Sequence, residues 1–292
     1  MALETHIRLN ARAGIAALTF AALAVLAPTR EAAAATVFSV AGVDVAGVTP
    51  TVNAFRSALG SINPNVVGSF GTGRREINWD GVPDAFSAPN ALPGNFFNVN
   101  SPRGVVFVTP GTGFQVSASS SSGTPTQFGN IDPSYPSIFE PFSPQRLFTA
   151  LGSTIVDVNF FVPGTTGAAL TRGFGAVFSD VDLANTTSLT FFGPNNELLG
   201  TFFAAAILGN ETFSFLGVDF GSSQVSRVRI TSGNVLLGAG QLDPDVVVMD
   251  DFIFGEPSNT PLPAALPLFA TGLGALGLIG WRRKKKTAAL AA

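Results

Sequence analysis

A two-residue period marks the stretch Val225-Ser226-Arg227-Val228-Arg229-Ile230. Successive side chains of a β-strand point to opposite faces, so the odd-numbered residues, which include both arginines, share one face and the even-numbered residues share the other. One face of this strand is therefore expected to meet water. Strands of this kind are typical of antiparallel sheets that bury only one side.

Similar segments recur along the chain. Each is short, rich in β-branched residues or phenylalanine, and bounded by turn residues such as Pro163-Gly164. The predicted strands are Gly104 to Thr109, Thr154 to Val162, Phe174 to Phe178, Ser188 to Phe192, Leu198 to Phe203, Thr212 to Phe215, Val225 to Thr231 and Val246 to Phe254. One helix is predicted, from Val52 to Leu59, with Thr51 as its cap and Gly60 as its stop. Many short strands without helices between them predict an all-β body, an antiparallel β-sandwich or jelly roll with one short N-terminal helix.

The composition excludes several classes of function. The 292 residues include no cysteine, one histidine at His6, and three lysines that all lie at positions 284 to 286. A Cys-His relay and a cysteine-ligated metal are excluded, and so is a Ser-His-Asp relay if His6 is removed with the leader described below. Paired carboxylates remain as a route to glycoside hydrolysis, with the candidates Glu76, Asp80, Asp84, Asp180, Asp182, Asp250 and Asp251. Proximity in sequence does not establish the separation that such a pair needs, and we predict that the chain is not an enzyme.

The first 35 residues have the pattern of a secretory signal peptide. Arg8 and Arg12 precede an apolar run from Ala13 to Ala27, and Ala33-Ala34-Ala35 supplies an Ala-x-Ala cleavage site. The run is too short to cross a bilayer core of ~30 Å comfortably, and an uncleaved N-terminal anchor is the alternative. The pattern predicts export, with signal peptidase as a partner.

A second apolar segment lies near the other end of the sequence. Leu262 to Gly280 carry no charge, Trp281 follows, and Arg282-Arg283-Lys284-Lys285-Lys286 are five consecutive cations. A helix of this length, at ~1.5 Å per residue, reaches ~28 Å and matches a bilayer core. The cations hold this end in the cytoplasm and Trp281 suits the interface. Residues 262 to 281 are therefore predicted to span a membrane, with the body of the chain outside.

This order of proline motif, apolar span and basic cluster resembles the PEP-CTERM sorting domain, which is found on exported proteins of Gram-negative bacteria that make extracellular polysaccharide. The motif here is Pro261-Leu262-Pro263, a familiar variant of Pro-Glu-Pro, and the cluster begins at Trp281-Arg282-Arg283. The resemblance covers residues 261 to 286. It implies export across the inner membrane, recognition by an exosortase, removal of the tail, and passage from a transient inner-membrane anchor to the cell surface or the extracellular matrix.

Residues 36 to 256 form the predicted exported body. This body carries 17 acidic and eight basic side chains, a net charge of −9, which argues against nucleic acid as a partner. Its longest connection is predicted from Ala118 to Pro144; we predict one composite domain, and a boundary inside this connection is the alternative. The segments Gly173 to Phe178, Phe215 to Phe220 and Met249 to Phe252 resemble the β-sandwich bodies of many PEP-CTERM proteins. Those bodies are similar in outline to carbohydrate-binding jelly rolls.

Four aspartates are candidate ligands of a structural calcium ion: Asp180, Asp182, Asp250 and Asp251. Calcium takes about six to eight oxygen ligands, which acidic residues at strand ends can supply together with loop carbonyls. If the sheet brings the four carboxylates together, their repulsion requires a cation or hydrogen-bond donors as compensation. The alternative is that they are ordinary exposed acidic turns.

The densest polar cluster of the body runs from Arg74 to Gly81 and contains its single tryptophan, Trp79. Trp79 with its polar neighbours is a candidate glycan contact, and the alternative is that it plugs the core while Asp80-Gly81 makes the following turn. We expect the exported protein to have a structural or adhesive role at the surface or in the matrix. A glycan-binding module for extracellular polysaccharide is the alternative function.

Overall fold

The computed structural model describes residues 34–241 and 245–259, together with 271, 272 and 274. The strands in these residues pair antiparallel throughout. They are β1 Thr36–Gly42, β2 Arg74–Ile77, β3 Val105–Val108, β4 Gly113–Val116, β5 Phe148–Leu151, β6 Ile155–Phe160, β7 Ala169–Leu170, β8 Gly173–Ser179, β9 Ser188–Phe192, β10 Leu198–Phe203, β11 Phe213–Asp219, β12 Arg227–Thr231, β13 Val248–Gly255 and β14 Ser258–Asn259. The prediction of a mostly β, antiparallel body is confirmed. All eight predicted strands have counterparts, and β9 and β10 match residue for residue.

Two large sheets are present in the described part of the chain. One has the order β1-β11-β8-β13-β5-β4, with β2 also paired to β13, and the other has the order β10-β9-β12-β6-β3. β14 and β7 form a short separate ribbon. Both large sheets contribute to one apolar core, in which the rings of Phe107 on β3 and Phe252 on β13 lie 6.0 Å apart. This arrangement is consistent with a β-sandwich.

Strand β12 shows the predicted alternation. Val228 and Ile230 are fully buried, whereas Arg227 and Arg229 are partly exposed. Both arginines donate hydrogen bonds to Asp157 on the neighbouring β6, at distances of 2.8–2.9 Å. Val225 departs from the prediction: it is buried because it precedes the strand and bridges to Thr171 instead of sharing the face of the arginines.

Helix α1 spans Val45–Leu59 and is longer than the sequence predicts. The predicted stop at Gly60 is correct, but the predicted cap Thr51 lies inside the helix, because Asp44 caps it by accepting a hydrogen bond from the backbone N–H of Gly47. Pro50 lacks an N–H donor and would disfavour a helix locally. The helix continues through Pro50 because a buried stripe packs on the β1-β11-β8-β13 sheet; the stripe consists of Val48, Val52, Phe55 and Leu59.

This packing explains why three central strands are buried on both faces. Every residue of β8, β11 and β13 is buried. One face of these strands meets the second sheet, and the other is covered by α1 and neighbouring segments. A strand covered on both sides loses the alternation of polar and apolar residues that marks a half-exposed strand.

The connection from 118 to 144 is packed, although no strand is assigned within it. It contains the 3₁₀ turn Tyr135–Ser137, and it contributes to a small apolar cluster of its own with Phe128, Tyr135 and Phe139. β4 and β5, on either side of the connection, pair directly with each other. Strands from both halves of the body therefore share the same sheets. A second short helix, α2 Phe96–Val99, and a 3₁₀ turn at Asp84–Phe86 are also present and are not predicted by the sequence patterns.

Two predicted segments lie outside the described residues, apart from a few positions. The predicted signal peptide precedes Thr36 and reaches the described part only at its last two residues. The sorting residues Pro261, Leu262, Pro263, Trp281, Arg282 and Arg283 all lie outside the described residues. Among the residues that the structure describes, no helix is both long and apolar enough to cross a membrane.

Candidate functional site

Trp79 lies in the core. Only 1% of the residue is exposed, and its ring stacks on Phe148 with centroids 4.1 Å apart and an interplanar angle of 3°. Its indole N–H donates to the backbone carbonyl of Asp250 at 3.0 Å. The prediction of a glycan contact at Trp79 is therefore wrong, since a sugar cannot reach a ring face that is covered by phenylalanines.

The buried position of Trp79 nevertheless determines where the next residue, Asp80, lies. Trp79 has a positive φ of 65°, and its carbonyl accepts a hydrogen bond from the N–H of Val82 at 2.9 Å, which closes a turn. The turn points the indole inward and leaves Asp80 at a surface cleft. Asp80 is thus held at this cleft by a tryptophan anchored in the core.

The cleft, here called the polar cleft, has a volume of about 400 Å³. It is lined by Asp80, Pro83, Asp84, Ser119, Ser121, Pro144, Gln145 and Arg146. Three separate segments meet here: the turn after β2, the serine run after β4, and the residues just before β5. The pairing of β4 with β5 brings the second and third segments together.

Asp80 holds one wall of the polar cleft in place. Its Oδ1 accepts hydrogen bonds from the backbone N–H groups of Gln145 at 2.6 Å and Arg146 at 3.1 Å, and its Oδ2 accepts one from Asn78 at 3.1 Å. Burial raises the pKa of Asp80 above its ordinary value, although the two backbone donors and the charge of Arg146 act in the opposite direction. This carboxylate joins the turn after β2 to the segment before β5.

Asp84 joins the serine run to the same arginine. Its Oδ1 accepts from Arg146 Nη2 at 2.5 Å and from Ser119 Oγ at 3.3 Å, while 55% of its side chain is exposed. Gln145 Oε1 accepts from both the N–H and the hydroxyl of Ser120. These bonds fix the loop of small polar residues against the cleft.

Two polar atoms at the polar cleft retain free hydrogen-bonding capacity. Asp84 Oδ2, an acceptor, and Gln145 Nε2, a donor, have no hydrogen-bond partner among the described residues. The hydroxyls of Ser119 and Ser121 lie 3.1 Å apart beside them. Adjacent donors and acceptors of this kind suit a ligand that carries neighbouring hydroxyl groups. Two carboxylates against one arginine leave the cleft with a net negative charge, which disfavours an anionic ligand.

The four aspartates predicted to share a calcium ion do not form one site. Asp250 accepts from the N–H groups of Phe142 and Ser143, and Asp251 accepts from Arg56 at 2.8 Å and from the Ser143 hydroxyl at 2.6 Å. Burial raises the pKa of both carboxyls. This pair sits where the register of β13 shifts and its oxygens are occupied by internal donors, so it is not an acidic surface turn either.

Asp180 and Asp182 lie instead with a third carboxylate, Asp245, which the sequence patterns do not single out. Asp245 accepts from the N–H groups of Asp182 and Leu183 and from the Thr186 hydroxyl. Asp180 is 5% exposed, and its Oδ1 has no hydrogen-bond partner. Burial, together with the charges of Asp182 and Asp245, raises the pKa of Asp180 to about 7. Over the described residues, no group of three acidic or histidine side chains is arranged to hold a metal ion.

A buried ion pair lies at the opposite end of β2 from the polar cleft. Arg75 donates to both oxygens of Glu256, at 2.8 and 2.9 Å, and neither side chain is more than 1% exposed. Glu256 also accepts from Asn63 and from the N–H of Phe70. A cleft of about 380 Å³ adjoins Glu256, but the oxygens of Glu256 already have partners. Glu76, another candidate carboxylate, is likewise occupied by Arg56 and Arg74.

Comparisons with known proteins add little to this geometry. No family model and no curated protein matches the sequence. Among solved structures, a glycoside hydrolase family 43 arabinoxylan arabinofuranohydrolase from Bacillus subtilis in complex with cellotetraose is similar at 14% identity. The likeness covers 49% of this chain and 24% of that chain, with a TM-score of 0.27. A likeness this remote carries no argument about the function of the present chain.

Proposed function

We propose that this chain is an exported protein, sorted by an exosortase, with a structural or adhesive role at the cell surface or in the extracellular matrix. The observation that carries this proposal is the order of Pro261-Leu262-Pro263, an uncharged run to Gly280 and five cations from Arg282 to Lys286. The signal-peptide pattern before Thr36 supports it. Signal peptidase, the inner membrane and the exosortase are the partners that processing requires.

Intact-mass measurement of the protein recovered from its native host tests this proposal. The mature species should lack both the signal peptide and the basic tail. A variant with Pro261→Ala and Pro263→Ala should keep the tail, whereas a control with Thr287→Ala, which lies after the basic cluster, should be processed like the wild type. Recovery of a mature wild-type species that still contains Lys284 to Lys286 would contradict the sorting proposal.

A second candidate function, glycan binding, is favoured by the polar cleft. Asp84 has an unpaired acceptor and Gln145 an unpaired donor, and both residues line this cavity together with the hydroxyl-bearing Ser119 and Ser121. Donors and acceptors of this kind are the chemistry that recognises sugar hydroxyl groups. The net charge of the cleft favours a neutral or amine-bearing glycan over an acidic one. The adhesive role would then consist of holding the host's own polysaccharide.

A glycan array followed by titration calorimetry tests this second function. The full chain should bind neutral or amino glycans in preference to uronic-acid polymers. Gln145→Ala and Asp84→Asn should weaken binding, and Asn195→Ala, an exposed amide in the β9–β10 turn of the other sheet, should leave it unchanged. A silent array, or equal binding by Gln145→Ala and wild type, would remove the glycan function and leave the structural role.

A further inference from the structure

One loop of the body exposes several apolar side chains that lie close together in sequence. The segment from 60 to 73, here called the apolar loop, contains no acidic or basic residue. It exposes Ile62, Val66, Val67 and Phe70, each at 48–65% of its surface. The other large apolar residues that the described structure exposes lie at least five positions from one another along the chain. Scattered exposure is ordinary, whereas a cluster indicates contact with a partner or a lipid surface.

The apolar loop is held next to the point where the described body ends. Glu256 accepts hydrogen bonds from Asn63 Nδ2 at 2.8 Å and from the Phe70 N–H at 3.2 Å, and its own N–H donates to the carbonyl of Gly73 at 2.8 Å. The buried guanidinium of Arg75 fixes Glu256 in turn. The loop is therefore fixed to Glu256, which lies three residues before Asn259.

Chain length then limits how far the loop lies from the predicted anchor. The apolar span starts at Leu262, six residues after Glu256. Six residues reach at most about 21 Å even when fully extended. While the chain is anchored, Glu256 lies no further than this from the start of the span, and Asn63 and Phe70 of the apolar loop are hydrogen-bonded to Glu256.

We propose that the apolar loop docks on the outer surface of the lipid bilayer in the anchored form of this protein. The inference rests on the membrane span of the proposed function. The exposed side chains of the apolar loop are suited to the boundary between headgroups and acyl chains, where apolar groups leave water without burying a charge. Such contact would hold the body against the membrane during sorting, in addition to the peptide chain that joins the body to the predicted span.

The absence of cysteine makes a direct test simple, because a single introduced cysteine can be labelled. Full-length Val67→Cys is labelled with an environment-sensitive dye and reconstituted into vesicles of phosphatidylethanolamine and phosphatidylglycerol, with or without nitroxide-bearing lipids. Phe70→Cys provides a second position. Leu208→Cys is the control: Leu208 is 77% exposed, but it precedes β11 at the end of the sheet opposite Gly255.

The dye at Val67 and at Phe70 should emit at shorter wavelength in vesicles and lose intensity with nitroxide lipids, and the dye at Leu208 should do neither. A chain that floats with the vesicles while all three dyes remain water-exposed would overturn the loop contact and leave the anchor intact. A dye at Val67 that is shielded but not quenched by nitroxide lipids would also overturn it, because the loop would then be covered by protein. A chain that fails to float with vesicles would refute the anchor and the loop contact together.

Discussion

Replacing Asp180 with asparagine should stabilise the body at alkaline pH and not at acid pH. Asp180 is 5% exposed and close to the charges of Asp182 and Asp245, and its Oδ1 has no hydrogen-bond partner. Asparagine keeps the shape of a protonated aspartate and carries no charge. It also tolerates the positive φ of 71° at this position.

The pKa sets the size of the effect. Burial and the neighbouring charges raise the pKa of Asp180 from its ordinary 3.8 to about 7 in the native state. The native state is therefore penalised as the pH rises from 3.8, and the penalty is complete above the folded pKa. The shift corresponds to a ceiling of about 4 kcal/mol. Solvent relaxation at the site reduces this, and we expect a gain of about 2 kcal/mol, or roughly 4–8 °C in melting temperature for a body of this size.

Scanning calorimetry of the full chain near pH 8 and near pH 4 measures this difference. Asp44→Asn is the control, since Asp44 is an exposed helix cap that asparagine replaces well. A gain of equal size at both pH values, or no gain near pH 8, would refute the role assigned to charge at Asp180. Melts in calcium and in chelator should coincide; a rise in calcium that Asp180→Asn lacks would instead identify this cluster as the predicted calcium site.

Three further substitutions test the packing of the body in urea denaturation. Trp79→Ala should lower the free energy of unfolding by about 3–5 kcal/mol because it empties the centre of the aromatic core, and a loss no larger than that of a surface substitution would contradict its burial. Glu256→Gln should cost about 3–5 kcal/mol because it leaves Arg75 buried without its counter-charge, and it should speed proteolysis within residues 60 to 73, unlike the exposed control Glu197→Gln. Burial acts to raise the pKa of Asp157, but hydrogen bonds from Arg229 and Arg227 outweigh it and lower the pKa. Asp157→Asn should therefore cost on the order of 1 kcal/mol at neutral pH, and this cost should vanish as the pH falls through the lowered pKa.

The predictable parts of the fold are those whose signal is local. β9 and β10 carry their own residue pattern between clear turns, so the sequence alone places them. β2 escapes prediction because Arg74, Arg75 and Glu76 do not resemble a strand; it becomes one because the guanidinium of Arg75 is buried against Glu256, 181 positions away. The first half of α1 escapes prediction for a similar reason, since packing against the sheet overrides the local cost of Pro50.

The candidate site is predictable only in part. Asp80 and Asp84 stand out in sequence as carboxylates beside Trp79. Ser119, Gln145 and Arg146 have no local signal, because they reach the cleft through the β4–β5 pairing. The same limit explains the calcium prediction: a sequence shows two pairs of aspartates but not that one pair is bound by internal donors and the other joins Asp245.

The position of β2 connects the two proposals. The apolar loop ends at Gly73, where β2 begins at Arg74, and the turn that carries Asp80 follows the end of β2 at Ile77. In the register with β13, Arg74 pairs with Gly255 near the end of the described body, whereas Ile77 pairs with Phe252, further back along that strand. Four residues of strand span about 13 Å. If the apolar loop rests on the bilayer, β2 therefore carries the polar cleft away from the membrane surface. Fluorescence at a dye on Gln145→Cys should then resist quenching by nitroxide lipids in the same vesicles that quench a dye at Val67, and quenching at both positions would show that the cleft faces the membrane and is closed to a polymer.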